Sequence, residues 1–123
     1  MVAFEIEPSQ NLFVVRYQGA VGPDEVQRGL EQVRSGLAKL QSGFRLLADL
    51  TELQSMEISC APFIKQAMDL FNQKGVSMVV RVIPDPTRDI GMQIMSLFHY
   101  GGNVRILTCQ TRDQATNLLS SDS

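Results

Sequence analysis

The strongest constraint on this chain is a hydrophobic period that switches repeatedly between two and about 3.6, with turn residues at each switch. Phe4 and Ile6 alternate with Glu5 and Glu7, the pattern of a half-buried strand over 2–7. After the turn cluster Pro8-Ser9-Gln10-Asn11, Phe13, Val15 and Tyr17 alternate with Leu12, Val14 and Arg16, which predicts a second strand paired with the first as a hairpin. Gly22-Pro23-Asp24-Glu25 then opens a helix. Proline's fixed φ suits the first helical position, and the two acids sit at the positive end of the dipole. Val26, Leu30, Val33, Leu37 and Leu40 form one apolar stripe, and Ser42-Gly43 stops it.

Phe44 to Leu50 is apolar on both faces, as a central strand is, and 51–59 reads as a polar loop. A helix is predicted from about Cys60 to Lys74, with Ile64, Ala67, Met68 and Phe71 inward and Gly75 past its end. The β-branched run 76–83 is a further strand. Asp85-Pro86 starts a third helix that ends at His99 or Tyr100, before Gly101-Gly102. Val104 to Cys109 is the last strand, and Thr111 with Gln114 makes a capping-box pattern for a short helix through Leu119. The order is β-β-α-β-α-β-α-β-α. Strands joined by single helices predict an α/β fold: a mixed, mainly parallel sheet of about five strands with right-handed crossovers and one antiparallel edge. With no internal repeat or linker, residues 1–119 read as a single domain and 120–123 as a flexible tail.

Composition narrows the chemistry. The 123 residues carry 11 basic and 13 acidic side chains, one His, two Cys and no Trp, with 44% hydrophobic residues, an ordinary globular balance. No apolar run reaches the roughly 18 residues of a membrane span, and the first ten residues lack the basic and apolar segments of a secretory signal. Two distant cysteines make no disulfide framework, so a reducing cytoplasm is expected. Three His and Cys residues in all are too few for a zinc site of four N/S ligands, and no metal or other cofactor is expected. The basic residues are scattered and the net charge is −2, against nucleic-acid binding. The common nucleotide and hydrolase signatures are absent.

The remaining candidates are few. His99 lacks a nucleophile and acid at triad spacing and reads as a last-turn histidine that suits the helix dipole. Cys60, at a helix start, is either a thiol acidified by the dipole or a small buried hydrophobe. Asp49 with Glu52 or Glu57 is the only carboxylate pairing available. The simpler reading has Asp49 capping local backbone and both Glu solvated. From Leu46 to Ile64 there is no basic residue, so the 51–59 segment is a poor phosphate cradle. In the third helix Ile90, Ile94 and Leu97 form an inner face, while Met92, Met95 and Phe98 lean elsewhere. Core packing and a partner surface are both open for that group. No catalytic residue is assigned, and a non-enzyme is expected.

The segment DLTELQSMEISCAPFIKQAMDLFNQKGVSMVVRVI, with VRILTCQTRDQATNLL after it, resembles the STAS domain, and especially its SpoIIAA-like branch of anti-sigma factor antagonists. That family reads strand, Asp-Leu-Ser/Thr, a short stretch, Asp-Ser-Ser-Gly, helix, Gly, strand. Asp49-Leu50-Thr51 matches the first piece, and Gly75 followed by VSMVVRVI matches the last. The family's Asp-Ser-Ser-Gly falls on Glu57-Ile58-Ser59-Cys60. Ile58 then takes the first Ser, the one commonly phosphorylated, and Ser59 the second; a register shifted by one puts Ser59 on the acceptor.

The resemblance implies a STAS-like protein-interaction module of bacterial signalling. It implies a regulatory, anti-sigma or kinase-like protein partner and leaves room for a homodimer. The contact surface would take in Asp49, Thr51, Glu52, Met56, Glu57, Ile58, Ser59 and Cys60, with Met92 and Met95 of the third helix. Ser59 is the first candidate phosphoacceptor, with Thr51 and Ser55 behind it. A phosphate there would be favoured by the helix dipole and opposed by Glu57 and by the lack of a nearby Arg in the sequence. The alternative is a carrier of a small apolar ligand or lipid, with a pocket between the third helix and the sheet.

Overall fold

The computed structural model describes residues 1–83 and 104–121. The expected third helix lies outside them, and with it Met92, Met95, Phe98 and His99. Five strands form one sheet in the order β1-β2-β3-β4-β5: β1 (Val2–Glu7), β2 (Leu12–Val21), β3 (Arg45–Met56), β4 (Met78–Val82) and β5 (Arg105–Cys109). β1 and β2 pair antiparallel as the expected hairpin, in a register that sets Phe4 opposite Val15; the remaining pairs are parallel.

Three helices are described. α1 (Pro23–Leu37) has Gly22 as N-cap and Pro23 at its first position, and Asp24 and Glu25 fill its first turn. It stops three residues before Leu40, which stays buried because the chain tightens there into i→i+3 bonds, Lys39 N–H to Gly36 O and Leu40 N–H to Leu37 O. α2 (Ala61–Lys74) ends on Gly75, whose φ of 98° is left-handed and favours glycine. α3 (Arg112–Ser121) begins with the expected cap: the Gln114 N–H donates to Thr111 Oγ1 at 3.1 Å, while the Gln114 side chain accepts from the Gln110 N–H at 2.9 Å.

The two sheet faces are covered differently. Phe13, Val15, Leu46, Ala48 and Val79 pack under α1 and α2, where Leu30, Val33, Ile64 and Phe71 meet them. Phe13 and Phe71 meet edge to face, with ring centroids 5.1 Å apart. On the other face Leu12, Val14, Leu47, Val80 and Val82 pack with Ala115 and Leu119 of α3. Strands buried on both sides explain the apolar runs 44–50 and 76–83.

One expectation fails. Residues 51–56 belong to β3, whose strand continues to Met56; only the last part of the expected loop is non-strand, as a 3-10 turn over Ile58–Cys60. The cause is two bulges. Arg16↔Asp49 is followed by Gln18↔Glu52, and Gly19↔Leu53 by Ala20↔Ser55, so β3 carries an extra residue at each point. Every extra residue shifts the phase by one. Leu50, Leu53 and Met56, three apart, therefore all reach the core that Leu46 and Ala48 enter at spacing two. The pairing of β3 with β4 ends at Asp49↔Val82, so the rest of β3 runs alongside β2 as a ribbon.

Candidate functional site

The carboxyl ends of the parallel strands, where ligands of open α/β sheets usually meet the fold, lie at the first bulge. Asp49 is buried there. Its Oδ1 accepts from the Thr51 N–H (2.9 Å) and from the Thr51 hydroxyl (2.7 Å), and its Oδ2 accepts from Arg112 Nη1 (3.0 Å). Burial alone would raise the Asp49 carboxyl, but the Thr51 bonds and the Arg112 guanidinium outweigh it and hold the group below the usual carboxylate range. Asp49 thus caps local backbone as expected, and it also fastens the first turn of α3 to the sheet.

Arg16 lies opposite Asp49 in register and pairs with Glu5 on β1, while Gln18 donates to Glu52 at 2.7 Å. Together Arg16, Gln18, Asp49, Thr51, Glu52 and Arg112 line an open cleft of about 340 Å³. The segment 46–64 contains no base of its own, but the fold brings two arginines to its start. Neither was reachable by local reading, because one comes from β2 and the other from α3.

The two acids that could have paired with Asp49 have separate attachments. Glu52 meets Gln18, and Glu57 Oε2 lies 3.1 Å from where a Cβ on Gly22 would be, against the N-terminus of α1. The Glu57 N–H also donates to Val21 O at 3.3 Å, which joins the end of β2 to the turn.

Cys60 is fully buried, and its thiol donates to Val21 O at 3.6 Å. Burial pushes its pKa up, Glu57 and Glu25 push in the same direction, and the acidified-thiol reading is overturned. Met56 is buried as well. Neither side chain can face a partner, and both belong to the core under α1 and α2. Tyr17 is buried beside them, and burial followed by the Cys60 charge drives its phenol far above its ordinary value.

Of the candidate contact residues, Glu52, Glu57, Ile58 and Ser59 face outward, and of the candidate phosphoacceptors Thr51 and Ser55 are half-buried. Ile58 is 55% exposed, a large apolar side chain left in solvent at the turn before α2. Ser59 stands exposed beside it. Among the described residues no group of His, Cys, Asp and Glu could hold a metal ion, and no helix is long and apolar enough to cross a membrane.

No family model matches the chain, and no curated protein matches it. Solved structures do. The anti-sigma factor antagonist SpoIIAA in its unphosphorylated form superposes with a TM-score of 0.67 at 13% identity, covering 98% of both chains. An uncharacterised DUF3478-family protein with a SpoIIAA-like fold, from Shewanella loihica, gives 0.65 at 17% identity over 96% of this chain and 93% of that one. The mixed sheet, its antiparallel edge and its helices are those of the SpoIIAA-like fold, and this chain has that fold.

Proposed function

We propose that the chain is a non-enzymatic protein-interaction module of the anti-sigma-factor-antagonist kind, working in bacterial signalling. The observation that supports this reading is likeness in fold to the antagonist SpoIIAA over 98% of both chains. The exposed surface available for contact is the Glu57-Ile58-Ser59 turn with Glu52, at the carboxyl end of the β2–β3 ribbon. Ile58 gives that surface an apolar centre, and the neighbouring acids give it a rim suited to a basic partner. Ser59 is the exposed hydroxyl best placed for a kinase; Thr51 and Ser55 are less accessible.

An apolar-ligand carrier is not favoured. The apolar pocket between sheet and helices, lined by Val2, Phe4, Val26, Leu30 and Phe71, holds about 20 Å³, room for little more than one water. The pocket expected against the third helix lies outside the described residues.

Intact-mass analysis and affinity isolation from native cells test the proposal. A specific protein partner that is lost on Ile58→Asp, at an unchanged unfolding midpoint, is the expected result. Recovery only as an unmodified monomer, with no partner for the wild-type chain, would overturn it.

A further inference from the structure

The outer edge of the sheet at β1 is open. Met1 and Gln18 exchange main-chain bonds: the Gln18 N–H donates to Met1 O at 2.7 Å, and the Met1 amine donates to Gln18 O. In an antiparallel pair such bonded positions alternate with unbonded ones. Ala3, Glu5 and Glu7 therefore turn their main-chain groups to β2, and Val2, Phe4 and Ile6 turn theirs away from it. β1 ends the sheet on its side, and among the described residues no strand pairs with that outward row. Natural edges are usually guarded by a lysine, a proline, a bulge or a covering segment. β1 contains no lysine and no proline, and it keeps one register against β2 along its whole length. Its side chains Val2, Phe4 and Ile6 pack against the core under α1 and α2 yet stay partly exposed. Its two charges, Glu5 and Glu7, stand on the other face, where Glu5 pairs with Arg16.

We infer that β1 pairs antiparallel with β1 of a second copy of this chain, joining two sheets into one across a two-fold axis at Phe4. The outward rows meet only in registers that set even-numbered residues against even-numbered residues. The register centred on Phe4 has the largest overlap: Val2 meets Ile6, Phe4 meets Phe4 and Ile6 meets Val2. All three pairs are apolar and lie on the helix side. On the other face Glu5 stands against Ala3 in both directions, so no acid opposes an acid. A register centred on Glu5 would set that residue against its own copy, and like charges directly opposite are destabilising. One centred on Ala3 loses one of the three apolar pairs. α1 leaves room for the contact. Gly29 and Gly36 let it lie close on Phe4, Ile6 and Phe13, over the β1–β2 pair. With strands about 4.8 Å apart, the two copies of α1 then stand about 10 Å apart, an ordinary helix-packing distance. This interface is independent of the proposed contact surface, because β1 takes no part in the Ile58 turn.

Sedimentation equilibrium of the full chain over a dilution series tests this, and a monomer–dimer equilibrium is expected. Ala3→Glu sets an acid opposite Glu5 on both sides of the two-fold and should weaken association about tenfold, while Ala3→Lys should strengthen it. Within one chain Ala3 lies opposite Arg16, so the same two changes act on the monomer in the reverse sense, and misfolding cannot imitate the pattern. Cysteine pairing reads the register. A chain carrying Ala3→Cys, mixed with one carrying Glu5→Cys, should form a disulfide on mild oxidation, because opposed unbonded positions bring their Cα atoms to about 4.5 Å. Either chain alone should cross-link far more slowly. A monomer at every concentration leaves the edge to solvent or to a strand of another protein and overturns the proposal. A dimer that ignores both Ala3 variants, or in which the mixed chains cross-link no faster than either alone, lies at another surface and overturns it too.

Discussion

Arg112 and Asp49, 63 positions apart in the chain, meet at 3.0 Å and fasten α3 to the point where β3 leaves β4 and continues with β2 alone. The bond joins the part of the sheet that packs both ways to the ribbon that carries the exposed turn. It explains why a carboxylate can stay buried there: each of its oxygens has a donor.

Asp49→Asn should lower stability by about 2 kcal/mol near neutral pH, because it removes the charge that Arg112 and Thr51 are arranged around. The pH dependence has a definite sign. The folded carboxyl is held below its unfolded value, so the stabilisation is complete above the ordinary carboxylate range and is lost as pH falls through the folded value. Urea unfolding as a function of pH checks both points. The variant should show a shallower acid limb, and an acid limb as steep as the wild type's would refute the assignment.

Leu53→Ala should cost about 2–5 kcal/mol, as the loss of a fully buried leucine does. The neighbouring exposed Gln54→Ala should stay within about 0.5 kcal/mol. Chemical denaturation of the two variants separates a bulged strand from a surface loop. Equal, small effects would mean that 51–56 is not packed as described.

Gly36→Ala sets two effects against each other. Alanine gains about 1 kcal/mol in helix propensity. Its Cβ, however, would lie 2.5 Å from Ile6 Cδ1 and 2.7 Å from Phe13 Cε2, where β1 and β2 cross α1, and such overpacking costs about 1–3 kcal/mol. The net should be a lower thermal midpoint, partly restored by Ile6→Val in the same chain. A higher midpoint for the single variant would show that the strands yield more easily than their packing suggests.

Cys60 and Cys109 are both buried, and burial raises both thiols. A thiol reagent at neutral pH should label the native protein slowly and the unfolded protein fast, with both cysteines modified only after unfolding. Rapid labelling of Cys60 in the native state would revive its reading as a nucleophile.

The parts of the fold legible in the sequence were those written in short-range periods. Phe4 and Ile6 against Glu5 and Glu7 gave β1, the stripe from Val26 to Leu37 gave α1, and Thr111 with Gln114 gave the start of α3. The far half of β3 was hidden, because its bulges turn a period of two into the spacing of three between Leu50, Leu53 and Met56. The site was legible only in part. Asp49 and Thr51 lie two apart and could be singled out together, but Arg16 and Arg112 reach them through strand pairing and the return of α3, which no local window contains. The family resemblance put Met56 and Cys60 on the contact surface, while the residue reading left a buried Cys60 open; the bulge phase turns Met56 inward, and Cys60 is buried with its thiol on the carbonyl of Val21.

Arg45 shows a broader consequence of how this sheet is tied together. Its guanidinium holds the carbonyl of Leu119 at the end of α3 and the carbonyl of Gln10 in the β1–β2 turn, while Ser77 binds the carbonyls of Gly43 and Phe44 in the same manner. Bonds addressed to the main chain do not specify the side chain of the residue that accepts them. Residue 10 can change freely so long as position 45 keeps its donor, and mutation can erase one partner's identity without loosening the tie. A fold fastened in this way can outlast the resemblance of its sequences, which is the condition met between this chain and structures that share its shape at 13% and 17% identity.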